Sequence, residues 1–310
     1  LLTHVQHPKS PKGYQAEEDS DAIRVSEYWG KKTNQIQSPK ISFEFFPPRS
    51  DTAKKSLKET HLKLSSINPE HYSVTFGALG TSQDATFDTI VNLSKDTEIP
   101  ITPHLTCVDT NKKQVTELID KYISHGVNQV MVLKGDTPSK PLHKGDFEYA
   151  NEMVKFIKEH YDNIDILVAA YPEKHPHSMN IRTDIDFFVD KVNSGATQAI
   201  TQYFYNIDAY FHYIDELQKR NIDIPITPGI MPITNYEQLI NFSKTCGAEI
   251  PAWILNRLKL YRHDPESLKE FGQDVVSEMC LNLKENGVNS FHFYSMNKAE
   301  PVLSISKILI

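Results

Sequence analysis

The strongest constraint on how this chain can fold is a regular beat of short apolar or β-branched runs. They stand at Ile41–Phe46, Tyr72–Phe76, Ile101–Thr106, Gln129–Leu133, Ile164–Ala170, Ala199–Phe204, Ile224–Ile230 and Ser290–Tyr294. Most successive starts are roughly 25 to 36 residues apart, which is room for one strand, one helix and two loops. Amphipathic stretches such as Lys112–Ser124 and Tyr149–His160 fill the gaps. The gap between the seventh and eighth runs is about twice as long. It holds an additional helix around Pro251–Leu260 ahead of a helix over Pro265–Asn286. Eight strands alternating with helices predict an α/β fold, a (β/α)8 TIM barrel in a single domain. An open doubly wound sheet is the competitor, but it usually carries a Gly-rich first turn. With 12 Gly, the chain has neither GxGxxG nor GxxxxGK[ST].

The barrel is expected over residues 40–310, preceded by a polar arm over 1–39 that is rich in Lys, Pro, Ser, Gln and Glu. Lys plus Arg number 33 against 40 for Asp plus Glu, a net charge of −7. That argues against a nucleic-acid binder or a basic membrane-surface protein, and no apolar run approaches the ~18 residues of a membrane helix. Cys107, Cys246 and Cys280 are odd in number and form no CxxC, which points to a reducing, cytoplasmic setting without a zinc ribbon or disulfide framework.

Barrel active sites lie at the C-terminal ends of the strands. The polar residues there are Glu44, Thr75, His104, Asp136, Tyr171 with His175, Gln202, and Tyr294 with Lys298. Glu44 sits among aromatic residues in Ser42-Phe43-Glu44-Phe45-Phe46. A carboxyl in such surroundings is costly to ionise, so its pKa should rise toward neutrality, as a general acid requires. A structural ion pair is the alternative. Asp136 follows Gly135, where backbone can approach a ligand closely, and could face a developing cation or simply cap a turn. His175 and His177 form an HxH, but it stands in a Pro-rich loop, and organic-ligand contact is the better reading than metal for His104 and His175. Asp184 and Lys191, seven apart on a helix opening at Thr183, share one face. They are either solvated charges or a grip on ribose and pyrophosphate. Lys134, Lys191 and Lys298 are the local cations for an anionic ligand. Gln202 can donate to and accept from an amide-edged ring. Tyr203–Tyr205 and Phe242 fit the core on periodicity, and His292 reads as a satisfied core or interface histidine.

At these residues the sequence resembles the methylenetetrahydrofolate reductase family, in its bacterial form as a catalytic barrel alone. The pieces that carry the resemblance are Ser42–Pro48, Ser73–Ala78, Pro103–Cys107, Lys134–Asp136, Ala169–Glu173, Ala199–Gln202, Pro228–Ile230, Ile250–Trp253 and Phe291–Tyr294. The resemblance implies FAD held non-covalently on the strand tips, NADH or NADPH as donor, and reduction of 5,10-methylenetetrahydrofolate to 5-methyltetrahydrofolate by a ping-pong mechanism in one-carbon metabolism. It implies Glu44 as general acid, with Asp136 near both flavin and folate. Thr75, Phe76, Ala78, His104, Lys134, Gly135, Asp136, Ala150, Tyr171, His175, Asp184 and Lys191 match its cofactor positions. Gln202, Gln238, Phe242 and Lys298 match positions that meet the folate or the nicotinamide. No metal, nucleic acid or membrane partner is implied, and the family commonly forms homo-oligomers. Lys134 and Lys298 stand where bacterial relatives often carry Arg, and Phe187 and Asp190 where they offer polar and basic flavin contacts. A flavin-free folate methyltransferase barrel and a non-catalytic relative are the other classes considered.

Overall fold

A computed structural model describes residues 38–76, 83–135 and 145–310. Ala78, Asp136 and nearly all of the polar arm therefore lie outside the described residues. Each of the eight runs forms β-structure. The strands are β1 (Lys40–Phe45), β2 (His71–Val74), β3 (Ile101–Thr106), β4 (Gln129–Leu133), β5 (Asp165–Ala170), β6 (Gln198–Thr201), β7 (Ile226–Thr227), β8 (Gly229–Ile230) and β9 (Ser290–Tyr294). Every pairing is parallel, in the order β7-β6-β5-β4-β3-β2-β1-β9-β8.

The two ends of that order are halves of one strand. Pro228 separates them because it has no amide to donate to a ladder. Its carbonyl accepts from the His292 amide at 3.0 Å, and the Gly229 amide donates to Thr201 Oγ1 at 2.9 Å. The sheet thus closes through Pro228 into a (β/α)8 barrel. The sixth run is shorter than its sequence suggests. At Tyr203 the amide bonds to the Gln202 side chain at 3.0 Å instead of a neighbouring strand, so β-structure stops at Thr201.

The helices are α1 (Asp51–Ser65), α2 (Gln83–Ser94), α3 (Lys112–Ile123), α4 (Ala150–His160), α5 (Ile181–Asn193), α6 (Ile207–Gln218), α7 (Tyr236–Cys246), α8 (Ala252–Leu260), α9 (Pro265–Glu285) and α10 (Val302–Leu309). Side-chain caps set several of their starts: Ser50, Asn111, Asn180, Asn206, Asn235 and Asp264 each accept from a first-turn amide. Asn180 explains why α5 opens before Thr183, since its Oδ1 takes the Thr183 amide at 2.9 Å.

Alternation along each strand divides the burial. Phe43 and Phe45 face outward with Tyr72 and Phe293, at ring separations of 5.1–6.4 Å, under the helix layer. The barrel interior is two-sided. Met131, Leu167 and Ile200 form a small apolar cluster of their own on β4, β5 and β6. On the opposite wall stand Ser42, Ser73, His104 and His292, all buried. Ser42 Oγ lies 2.7 Å from His292 Nδ1, Ser73 Oγ lies 3.4 Å from its Nε2, and the His71 ring stacks on it at 5.8 Å. His292 is a satisfied core histidine, as the alternation with Phe291 and Phe293 suggests. A polar wall inside the barrel is what lets ionisable groups stand just above it.

Candidate active site

Glu44 is the inward residue near the top of β1, in register with Ser73 of β2 and Tyr294 of β9. The Ser295 hydroxyl donates to the Glu44 carbonyl at 2.5 Å, and Asn297 grips the Phe46 backbone from both sides at 3.0 and 2.9 Å. The exits of β1 and β9 are thereby fixed to each other. The Glu44 side chain is 22% exposed, and burial pushes its pKa up to about 8. Its only ionic neighbour in the described residues is His104, whose Nε2 lies 3.8 Å from Glu44 Oε2. Burial drives that imidazole down to about 3, and His71 pushes it the same way. No Lys or Arg among the described residues pairs with Glu44, so the structural ion pair is not seen there, and burial disfavours the charged form of both Glu44 and His104. On the other flank, the Tyr294 hydroxyl donates to the Thr201 carbonyl at 2.6 Å.

The loops above the strands supply the rest. Thr75 follows β2, and its Oγ1 is buried with no hydrogen-bond partner among the described residues, as is His104 Nε2. Phe76 beside it is half-buried against the core. After β4, Lys134 is exposed, with Nζ 4.5 Å from the centre of the Tyr149 ring, and Ala150 opens α4 next to that tyrosine. Gly135 has φ +82°, and a Cβ there would lie 2.9 Å from Thr106 Cβ. Only glycine lets the chain pass so close.

After β5 the loop is braced from within. Tyr171 meets the His175 ring edge-on at 4.7 Å. Asp184 takes the His175 amide at 3.1 Å and the Ser178 hydroxyl at 2.6 Å, and it is buried. Lys191 donates to the Ala169 carbonyl, and burial lowers its pKa to about 8 against the opposing pull of Asp184. The solvated-charge reading of this pair fails, because both side chains point into the rim rather than to water. The HxH of His175 and His177 is an internal turn, with the His177 amide 3.1 Å from His175 Nδ1. Among the described residues no group of three or more His, Cys, Asp or Glu side chains could hold a metal ion. No helix among them is long and apolar enough to cross a membrane.

Gln202 is half-buried at the β6 exit, where its backbone N–H donates to the Ala170 carbonyl at 2.8 Å. Gln238 and Phe242, both half-buried, lie four residues apart on α7 and so share a face. Lys298 is exposed beyond β9, its amide donating to Ser295 at 2.9 Å. The sequence reading passed over Glu173, whose carboxyl reaches the Glu249 amide at 2.8 Å. The signal was present: a carboxylate directly after Tyr171-Pro172 at a barrel rim.

The sequence matches the family described as methylenetetrahydrofolate reductase over residues 31–309. The chain belongs to that family. It is 39% identical to the 5,10-methylenetetrahydrofolate reductase of Buchnera aphidicola subsp. Schizaphis graminum over 265 residues, covering 85% of this chain and 89% of that protein. It is 35% identical to the Escherichia coli K12 enzyme of the same name over 269 residues, covering 87% and 90%. Against methylenetetrahydrofolate reductase (NADH) 1 of Arabidopsis thaliana it is 30% identical and spans 47% of that longer protein. Among solved structures, an uncharacterised Clostridium thermocellum protein that binds two copies of 5-methyl-5,6,7,8-tetrahydrofolic acid superposes with a TM-score of 0.63 at 17% identity, covering 92% of this chain and 98% of that one. That likeness shows the fold. Family membership makes this chain an oxidoreductase acting on CH–NH groups, with the folate-reduction chemistry of the methylenetetrahydrofolate reductases.

Proposed function

We propose that the chain binds FAD non-covalently across the strand tips and uses NADH or NADPH to reduce 5,10-methylenetetrahydrofolate to 5-methyltetrahydrofolate, with Glu44 as general acid. The observation that carries this reading is the Glu44 carboxyl in the barrel mouth, 3.8 Å from the buried His104 ring, where burial raises the acid toward its neutral form and lowers the histidine. The rim residues fit a flavin. Thr75 Oγ1 and His104 Nε2 are buried polar atoms without partners, Gly135 keeps one stretch of backbone clear, and Lys134 offers an exposed cation. Bound FAD would supply the two-electron hydride relay between nicotinamide and folate.

The chain's own residues do the remainder. Glu44 holds a proton on its carboxyl and delivers it to the folate nitrogen whose bond to the methylene carbon must break, so the ring opens to an iminium cation. The family resemblance assigns Asp136, which lies outside the described residues, to stabilising that cation. Asp184 and Lys191 hold the loop that carries Tyr171 and His175. Gln202 bonds the amide edge of whichever partner is present, while Gln238, Phe242 and Lys298 receive it. One site serves both partners in turn. The test is an anaerobic absorption spectrum of the purified protein before and after each reduced nicotinamide. A flavin spectrum that bleaches with nicotinamide and returns with methylenetetrahydrofolate supports the reading. Colourless protein that binds no added FAD rejects it.

A further inference from the structure

Glu173 holds together two parts of the rim that come from distant stretches of chain. Its Oε2 accepts from the Glu249 amide at 2.8 Å, across 76 residues of sequence. Its Oε1 is buried and has no hydrogen-bond partner among the described residues. On one side of this bond is the loop after β5, with Tyr171 and His175. On the other is the turn that ends α7. Gly247 closes α7 in the left-handed conformation at φ 75°, and a Cβ there would stand 2.9 Å from Pro176 Cγ of the same β5 loop. The turn therefore lies flat against the loop. Tyr171, Glu173, Tyr203, Cys246 and Gly247 line the narrow crevice between them, and Tyr203 adds a bond to Ser243 of α7 at 3.1 Å.

Helical spacing connects this seam to the site. Gln238, Phe242 and Cys246 are each four residues apart, so they form one stripe along α7. The lower end of the stripe, Cys246, sits on the crevice that Glu173 lines. Its upper part carries the two residues assigned above to folate and nicotinamide. We propose that Glu173 is a positioning residue that locks α7 to the β5 loop and so sets where Gln238 and Phe242 stand over the rest of the site. The proposal rests on the functional reading above for what those two residues bind, and on geometry alone for the lock.

The lock makes Glu173 matter for binding more than for chemistry. Removing the acceptor frees the Glu249 amide and the α7 turn without touching Glu44 or the Asp184 brace. Glu173→Gln keeps an oxygen at the same reach, so it preserves the bond. The experiment compares wild type, E173A and E173Q by hydrogen–deuterium exchange over residues 236–249, together with KM and kcat for folate reduction. In E173A, exchange over 236–249 should rise and KM for methylenetetrahydrofolate should increase about tenfold, the scale of one intramolecular hydrogen bond, with kcat nearly unchanged. E173Q should restore both. If E173A does not fold, E173D, which keeps the carboxyl and shortens its reach, should show the same split. Unchanged exchange in E173A overturns the lock, as does faster exchange in E173Q equal to that in E173A. Raised exchange with an unchanged KM overturns the positioning role. Wild-type protein without folate turnover sinks the functional reading instead, and exchange still decides the lock.

Discussion

Glu44 Oε2 and His104 Nε2 stand 3.8 Å apart inside the barrel mouth. A carboxyl and an imidazole this close usually share a proton as an ion pair. Here burial pushes the acid up to about 8 and the base down to about 3, so it favours the neutral form of each over the ion pair. The neutrality of the wall below is part of the cause. His292, fully buried between Ser42 and Ser73, is held well below the usual imidazole range by burial, with His71 and His104 pushing the same way. A charged histidine anywhere in this group would drag the Glu44 pKa down and waste the acid.

Glu44→Gln should abolish folate reduction and leave flavin reduction by nicotinamide nearly intact. Passing a hydride from nicotinamide needs no acid, whereas breaking the folate ring bond does. The amide keeps the shape but delivers no proton. Stopped-flow traces of the two half-reactions measure this directly. Folate turnover at the wild-type rate would remove Glu44 from the mechanism.

The same substitution should change stability in a pH-dependent way. Below the ordinary pKa of 4.5, folded and unfolded chains both hold the Glu44 proton, and the group is neutral to folding. Between 4.5 and about 8 the unfolded chain releases it while the folded chain keeps it. Stability is thus lost as pH rises through that window, by about 1.4 kcal/mol per pH unit. Gln carries no proton to lose, so its own burial cost is constant. Urea unfolding of the two proteins should therefore show E44Q gaining on wild type between pH 5 and pH 8, by roughly 4 kcal/mol in total. A difference that is flat with pH would mean the carboxyl is already ionised in the folded chain.

How far the sequence carries this picture differs from residue to residue. The eight strands were legible because parallel strands buried on both faces leave unbroken apolar runs, and Glu44 stood out as a charge inside one of them. The raised pKa direction was expected from its aromatic neighbours, but Phe43 and Phe45 face the other side of the strand, and burial in the barrel mouth is its cause. By contrast, the sequence left Asp184 and Lys191 as plausible solvent charges, since seven-residue spacing says which helix face they share but not what covers it. Their partners, His175, Ser178 and Ala169, come from the preceding strand and loop. Glu173 was marked only by its place after Tyr171-Pro172 at the rim, and its role was hidden for the same reason: its partner is a backbone amide far along the chain, and backbone partners leave no mark in composition. The break at Pro228 was read as shape at the seventh strand, but not as the seam through which the barrel closes.

That seam gives a prediction that needs no ligand. At Gly229 an added Cβ would lie 2.1 Å from the Thr201 carbonyl and 2.6 Å from the Tyr294 hydroxyl. Neither neighbour can yield easily, because Tyr294 donates to that same carbonyl and Thr201 Oγ1 takes the Gly229 amide. Glycine is required here by proximity rather than by its φ. Gly229→Ala should destabilise the protein by about 2–4 kcal/mol, at or above the usual cost of overpacking. Chemical denaturation measures it, and a loss below about 1 kcal/mol would show that the seam can open.

Deleting residues 1–37 should leave flavin binding and both half-reactions largely unchanged. The first ladder bond of the barrel runs from the Lys40 amide to the Asn289 carbonyl at 2.8 Å, and β1 is complete from that residue on. None of the site residues assigned here precedes it. Flavin titration of the truncated protein decides the matter, and loss of flavin would make the arm part of the site.

The last prediction concerns one site serving two partners. Gln202 and Tyr294 flank Thr201, whose carbonyl is already taken by the tyrosine hydroxyl, so the polar edge offered to an incoming ring at this wall is the Gln202 amide. Its Oε1 is held by the Tyr203 amide at 3.0 Å, which fixes the orientation of the group for any ligand that reaches it. Nicotinamide and the folate pterin both carry amide-like edges, and both must bring a reacting carbon to the same flavin. With Phe242 as the only aromatic residue assigned to stack on either, they exclude each other. Initial rates at several fixed donor concentrations should give parallel double-reciprocal lines, and excess folate should inhibit competitively against the donor. Gln202→Ala should slow both half-reactions, in contrast to Glu44→Gln, which stops one. Intersecting lines would require a second nicotinamide site and overturn the shared pocket, while leaving Glu44 in its place.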